Sequence, residues 1–406
     1  MRFLIVTQYY PPEPGAAQVR LAALARELRA GGHDVEVVTA VANYPHGRIS
    51  PAYAGRAQCV ERIDGIRVRR LWLHAATGAG ASRLASYLSF SATALAGALL
   101  GRRPDVVFVE SPPLFLGVTG WLLARRWRTR LVFNVSDLWP DSVRDLGLMS
   151  SAALLGAAEA LERWVYARSA VVSVATKGIG DAIVQKGVPA DRVVLLPNGV
   201  DTDLFRQADA DPAIAARYGL PDDGRLVLFT GNHGFAQGLD VAVQAAALLA
   251  DDGVTLGLVG AGSDRARIER LVRSVAPRNV KLIPPVEAHL IPSLYGLAAA
   301  GLVTLRSSSI LDGARPAKTL AVMACGRPVL YSGSGEGAEL VRSADAGIVT
   351  PPEDAPALAA AIRRVVNDRP LADRLGSNGR RYVEAHCAWS TITQRWLADL
   401  EVALGR

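Results

Sequence analysis

Two apolar rhythms alternate along the chain. Short and nearly continuous runs, FLIVT (3–7), VEVVT (35–39), DVVFVE (105–110), LVFNVSD (131–137) and AVVSVA (170–175), are separated by stretches whose apolar residues recur at helical spacing. The first such stretch carries Val19, Leu21, Leu24, Ala25 and Leu28 and stops at Gly31-Gly32. A strand covered by helices on both faces has no polar side, so a continuous apolar run reads as a buried parallel strand. The first half therefore predicts a Rossmann-like domain of βαβ units, with helices around 114–127 and 151–168.

After the turn-rich LLPNGVDTDLF (195–205) the alternation restarts. It runs through RLVLFTG (225–231), a helix over 238–250, VTLGLVG (254–260), a helix over 263–275, VKLIPPV (280–286), AGLVTL (300–305), a helix from Lys318 to Ala324, PVLYS (328–332) and AGIVTP (346–351). Helices over roughly 354–368 and 370–403 close the chain. The expectation is an α/β protein of two Rossmann-like domains with parallel sheets, the first over residues 1–198 and the second from residue 199. Open α/β sheets take ligands at the carboxyl ends of their strands, so a cleft where the two sets of strand ends face each other is the expected site.

Composition narrows the class. In 406 residues the chain is 50% hydrophobic and 20% charged, which excludes disorder as the main state. Cys59, Cys325 and Cys387 are far apart and in no metal-ligand spacing, which suggests a reducing cytoplasm rather than a disulfide framework. The N-terminal apolar run, Phe3 to Val6, is too brief for a signal-peptide core. Leu84 to Leu100 is the most apolar helix-length stretch but, interrupted by Ser and Thr, is marginal for a bilayer span. The net charge of +7 is uneven: residues 1–200 hold 23 basic against 15 acidic side chains, and the remainder 22 against 23. Arg67, Arg69 and Arg70 with Arg125, Arg126, Arg128 and Arg130 are candidates for resting on anionic lipid at the inner face of the cell membrane. A solvated basic surface is the plainer alternative.

Candidate chemistry sits at strand ends. The loop PPEPGAAQ offers Gly15 and Ala16 before a helix, where backbone amides can approach an anion. TGNHGFAQGLD (230–240) offers Gly231, Asn232, Gln237 and Gly238 in a similar junction, resembling a diphosphate cradle. Gly260 in VGAGSD and Val286 after Pro284-Pro285 are weaker candidates for donor contact. Lys318 stands near a helix start, where the dipole gives a cation no stabilisation, so with Arg306 and Arg315 it is a candidate for neutralising a diphosphate leaving group. Asp137, past a strand end and before Trp139, can orient or deprotonate an acceptor hydroxyl, or simply cap a helix. Glu110, Ser136 and Trp139 are further acceptor-side candidates. His233 has no second ligand at metal spacing, and no metal site is expected.

Together these segments resemble the retaining GT-B glycosyltransferases of family 4, the group 1 glycosyltransferases, over almost the whole chain. PPEPGAAQVRLAALARELRAGGHDVEVVT, SDLWPDS, LLPNGVDTDLF, GNHGFAQGLD and PAKTLAVMACGRPV carry the likeness, and the DLWP and QGL segments are similar to bacterial surface-polysaccharide enzymes of the colanic-acid and fucosamine-transferase type. The resemblance implies a C-terminal helix of about 388–406 returning to the first domain, so that the second spans 199–387, a nucleotide-sugar donor, UDP favoured, on the second domain, an acceptor on the first, polyprenyl-diphosphate linkage as one form of that acceptor, and no metal or other cofactor. It places Gly15 and Ala16, and Gly231, Asn232, Gln237 and Gly238, at the donor phosphates. Three departures stand out. The E-x7-E pair of many relatives falls on Gly313 and Ala321, the usual Arg and Lys of the second-domain loop are missing from GNHGFAQG, and the common His before the first-domain Asp is Ser136. The leading expectation is a glycosyltransferase; a catalytically silent GT-B protein supporting a partner transferase and a GT-B sugar-nucleotide epimerase are the alternatives. No nucleic-acid module is apparent.

Overall fold

The computed structural model describes all residues except 14, 45, 77–79, 142–143, 145–150, 276–277, 309–311, 314 and 406. Pro14 and Ser142, which belong to segments quoted above, lie outside the described residues. The chain divides into one unit of Met1–Asn198 with Trp389–Arg406 and a second of Gly199–Ala388.

In the first unit the strands are β1 Arg2–Val6, β2 Asp34–Ala40, β3 Gln58–Ile63, β4 Ile66–Leu71, β5 Val106–Ser111, β6 Arg130–Val135, β7 Val171–Val174 and β8 Val193–Leu195. Its helices are α1 Ala16–Ala30, α2 Ala81–Ala98, α3 Leu116–Trp127, α4 Ala152–Arg168 and α5 Lys177–Gln185. The sheet order is β3-β4-β2-β1-β5-β6-β7-β8, parallel except for β3. The expected parallel sheet is present, with β3 added as one antiparallel edge strand. The β3–β4 hairpin turns on Asp64 and Gly65, both at positive φ (51° and 73°), the geometry of a two-residue hairpin loop. Side chains alternate across the sheet: Leu4 and Val6 face a core shared with α2 to α5, while Phe3 and Ile5 face α1 and the C-terminal helix.

The second unit begins with α6 Pro212–Tyr218 and contains strands β9 Leu226–Thr230, β10 Thr255–Val259, β11 Val280–Ile283, β12 Ala298–Thr304, β13 Val329–Ser332 and β14 Gly347–Thr350. The remaining helices are α7 Leu239–Ala247, α8 Arg265–Val275, α9 Ile291–Leu297, α10 Ala317–Ala324, α11 Gly335–Ser343, α12 Ala355–Asn367 and α13 Arg369–His386, followed in the first unit by α14 Trp389–Ala403. The order β11-β10-β9-β12-β13-β14 is parallel throughout. The helix expected over 370–403 is two helices. Cys387 accepts from the Val200 amide and Ala388 bridges Val200 in parallel, so the chain is extended between α13 and α14. Beyond that break, α14 buries Trp396 against Phe3 and Phe108, its indole donating to Ser173.

Each sheet reverses its strand order once, between β1 and β5 and between β9 and β12. The loops after β1 and β9 therefore leave at switch points, where parallel sheets take ligands.

Candidate active site

In the second unit, β9 runs into Gly231 (φ 143°), a short turn Phe235–Gln237, Gly238 in the left-handed region (φ 57°) and then α7. The backbone answers one expectation with a correction. The amides of Gly231, Gly238 and Gly260 are already spent on the carbonyls of Val259, Phe235 and Ile283. These glycines therefore contribute shape rather than donors. A Cβ at Gly260, itself at φ 139°, would overlap the Gly231 carbonyl, and one at Gly262 would overlap Asn232 and His233, so the loops after β9 and β10 pack without side chains between them. Among the described residues the amides of Asn232, Gly234, Phe235 and Ala236 donate to no intramolecular acceptor, and these remain for an anion.

Lys318 stands in the first turn of α10 and reaches this loop. Its ammonium donates to Gln237 Oε1 and lies 3.9 Å from the Phe229 ring centroid. A Cβ on Gly231 would be 3.3 Å from Lys318 Cε, so the amine and the loop share one face. The lysine has no carboxylate partner among the described residues, and burial lowers its pKa to about 7. An oxyanion arriving there restores the charged form. Gln237 is tied at both ends, its carbonyl accepting from Thr304 Oγ1.

Arg306 does not share that role. Its guanidinium is paired with Asp240 at 2.8 Å and Glu353 at 2.9 Å and donates to the Phe235 carbonyl, which holds the 235–237 turn against β12. Its charge is already matched. Among the described residues Arg315 reaches only Cys387 Sγ, at 4.0 Å. Val286 packs into the core of the unit. Gly313 has open space beside it, and Ala321 is buried on α10. His233 is fully enclosed in the loop, edge-on to Phe229; burial, with the Arg265 and Lys318 charges, lowers its pKa to about 4, so it is neutral and acts as packing. Among the described residues no group of three or more potential metal ligands occurs.

In the first unit Gly15 (φ 150°) opens α1 with no side-chain cap, leaving the first-turn amides, beginning at Ala16, without one. The loop before it is pinned from below. Buried Glu13 accepts from the Asn43 and Tyr44 amides at 2.8 Å each, and Arg70 donates to the Pro11 and Ala40 carbonyls while paired with Glu61. Arg69 is likewise buried against Glu36. Of the expected basic patch at Arg67, Arg69 and Arg70, the last two are interior: as neighbours on β4 they point to opposite faces of the sheet, each into its own ion pair, while Arg67 stays exposed beside Glu36. Arg125, Arg126, Arg128 and Arg130 are exposed.

Asp137 is exposed one residue after Ser136 beyond the end of β6, with the Trp139 amide donating to its carbonyl and Trp139 beside Phe115. Glu110 is different from the expectation. It is buried at the end of β5, paired with Arg20 at 2.5 Å, accepting from Asn134 at 2.7 Å and from Ser136. Arg20 also donates to Ser136 and to Asn198 Oδ1. Glu110 is therefore held in a buried polar network with Arg20 and Asn134, and the half-buried Ser136 donates to it from the rim. Sequence reading missed Arg20, Asn134, Asn198 and Glu13; an arginine inside the otherwise apolar face of α1 was the one available signal.

Residues 15–199 match the glycosyl transferase 4-like domain, and residues 211–382 match glycosyl transferases group 1. The chain belongs to the group 1, family 4 glycosyltransferases. A putative colanic acid biosynthesis glycosyl transferase, WcaI of Escherichia coli K12, is 26% identical over 414 residues, spanning 98% of this chain and all of that protein. Among solved structures, a sucrose-phosphate synthase from Thermosynechococcus elongatus superposes with a TM-score of 0.74 at 21% identity, covering 100% of this chain and 99% of the other. Anabaena Alr3699/HepE in complex with UDP-glucose gives 0.73 at 19% identity, covering 99% of this chain and 100% of that one. The fold is GT-B, and the glycosyltransferase has UDP-sugar-binding proteins among its structural neighbours.

Proposed function

We propose that this glycosyltransferase moves a sugar, with retention of configuration, from a nucleoside-diphosphate donor to a hydroxyl of a glycan or lipid-linked saccharide, in bacterial surface-polysaccharide building on the cytoplasmic side. The observation that carries the proposal is the Lys318 ammonium, without a carboxylate partner among the described residues, beside the amide-bearing turn after β9. As the bond from the anomeric carbon to the donor phosphate breaks, the diphosphate leaves with the bonding pair, and Lys318 with the amides of Asn232 and Gly234 to Ala236 stabilises that charge. The acceptor oxygen forms the new bond, and Asp137 orients its hydroxyl or takes its proton. Lysine and amides supply the positive charge here, so the proposal assigns no metal. UDP is favoured as the donor nucleotide, a reading supported by the UDP complexes among the structural neighbours.

A thermal-shift series with UDP, GDP, dTDP, ADP and their common sugars, run with a chelator, checks this directly. A ligand that binds only the native state raises the melting temperature by mass action, and at about 100 times its Kd the stabilisation is about 2.7 kcal/mol. We expect a shift with the uridine compounds. No shift with any nucleotide, where a related active enzyme responds, would overturn the donor assignment and favour a silent partner protein.

Peripheral contact with an anionic membrane belongs to the same proposal. Leu84, Leu88, Leu99 and Leu100 stay exposed along and just beyond α2, although among the described residues no helix is long and apolar enough to cross a membrane. An apolar helix face with basic neighbours suits the interface. Sedimentation with vesicles containing phosphatidylglycerol should be strong for the native chain and weak for Leu84→Asp/Leu88→Asp; equal sedimentation of both removes this surface from the proposal.

A further inference from the structure

Arg125, Arg128, Arg130, Arg168 and Arg192 line one pocket of about 520 Å³ in the first unit, and no carboxylate lines it with them. Arg130 opens β6 and Arg192 precedes β8, so the pocket lies at the amino-terminal edge of the sheet. Asp137 lies beyond the opposite end of β6. At about 3.3 Å per residue the six residues of that strand put the pocket roughly 20 Å from Asp137. A molecule held here does not touch the groups assigned to sugar transfer.

Part of the cluster has a structural account. Arg192 donates to the carbonyls of Tyr166 and Ser169, and Arg168 donates to that of Trp164, at the C-terminal end of α4 where cations meet the negative end of the helix dipole. Arg125 and Arg130 have no such account. Neither donates a hydrogen bond, and none of the five arginines forms an ion pair, among the described residues. Five like charges around one concavity repel each other, and the pocket wall adds indole surface rather than counter-charge: Trp121 lines it, with the Arg125 guanidinium 5.5 Å from its ring centroid, and Arg168 sits 4.2 Å from that of Trp164.

We propose that this pocket is a second anion site, which binds linked phosphates, a diphosphate or longer, either free or at the head of a lipid. Guanidiniums hold phosphate oxygens in bidentate pairs, so four or five of them match two adjacent phosphates better than one. The site is independent of the transferase reading.

Titration with inorganic pyrophosphate, followed by tryptophan fluorescence of the full chain at about 0.1 M salt, tests it. Saturable binding is expected, weakened at least tenfold by Arg125→Gln/Arg130→Gln, two exposed substitutions that remove no hydrogen bond. Lys318→Ala should leave it within twofold, which separates this site from the turn after β9. No saturable binding, or binding that the double variant leaves unchanged, overturns the proposal, and loss only in Lys318→Ala does the same. Phosphatidylcholine vesicles carrying geranylgeranyl diphosphate then identify the source. Sedimentation that pyrophosphate competes away supports a lipid-borne diphosphate, whereas pyrophosphate binding without sedimentation supports a soluble one.

Discussion

Lys318→Ala should cut turnover by about 10²–10³-fold, the usual loss when one preorganised group facing a developing oxyanion is removed. The fold should survive it. Among the described residues the ammonium contacts Gln237 and the Phe229 ring and no carboxylate, so its removal strands no buried counter-charge there. The pH dependence gives a sharper signature. Burial lowers the lysine to about 7, below its free value of 10.5, so the charged form dominates below that pH in the empty protein. If the charged form is required, kcat/KM for the donor falls as pH rises through about 7, because that parameter reports ionisations of the free enzyme. The kcat limb moves to higher pH, since a bound diphosphate favours the protonated amine. Stability runs the other way. A lowered lysine pKa penalises the fold most below 7, and the penalty fades as pH rises from 7 toward 10.5. Lys318→Met should therefore melt at a higher temperature than the native chain, with a larger gain at pH 6 than at pH 9, while losing activity. A variant that keeps full turnover, or a pH-independent kcat/KM between pH 6 and pH 9, would sink the assignment.

Arg20→Ala should destabilise the first unit by about 3–5 kcal/mol, the cost of leaving one partner of a buried ion pair uncompensated. Both side chains are 3% exposed, and Arg20 is the cation of a network that also takes in Ser136 and Asn198. A chemical-denaturation midpoint well below that of the native chain is the expected result. Arg20→Met/Glu110→Leu should recover much of the loss, because replacing both charges with apolar groups removes the unpaired carboxylate as well. If the single variant is as stable as the native chain, the pair is not the organising contact of the rim. Activity adds a second readout: Arg20 also anchors Asn198, the last residue before the second unit, so a double variant that regains stability without regaining turnover would mark the network as a positioning device.

Much of the architecture is legible before any coordinates. Strands β1, β5, β7, β9 and β12 are buried end to end or nearly so, and a strand with no polar face announces itself as a continuous apolar run. The β3–β4 hairpin was missed because β3 is an edge strand with a half-exposed, charged pattern, QCVERI. Its Asp64-Gly65 turn was the readable clue. The apolar rhythm runs on across the break between α13 and α14; the resemblance alone set a boundary near residue 388, where the pairing of Val200 with Ala388 interrupts the helix.

The candidate site divides along the same line. Sequence by itself determined that glycine-bearing loops follow β1 and β9, that Lys318 stands at a helix start, and that Asp137 follows a strand end, because these are properties of neighbours in the chain. Only the tertiary structure decided which charges are spoken for. Arg306 and Lys318 look alike as basic residues near one loop, yet Asp240 and Glu353 neutralise the first and leave the second. Arg70 and Arg130 look alike as surface cations, yet one is enclosed against Glu61 and the other joins an arginine-lined pocket. The reason is physical. Whether a charge is matched depends on carboxylates and carbonyls tens of residues away in the chain, at distances of a few ångströms that packing sets and local sequence does not.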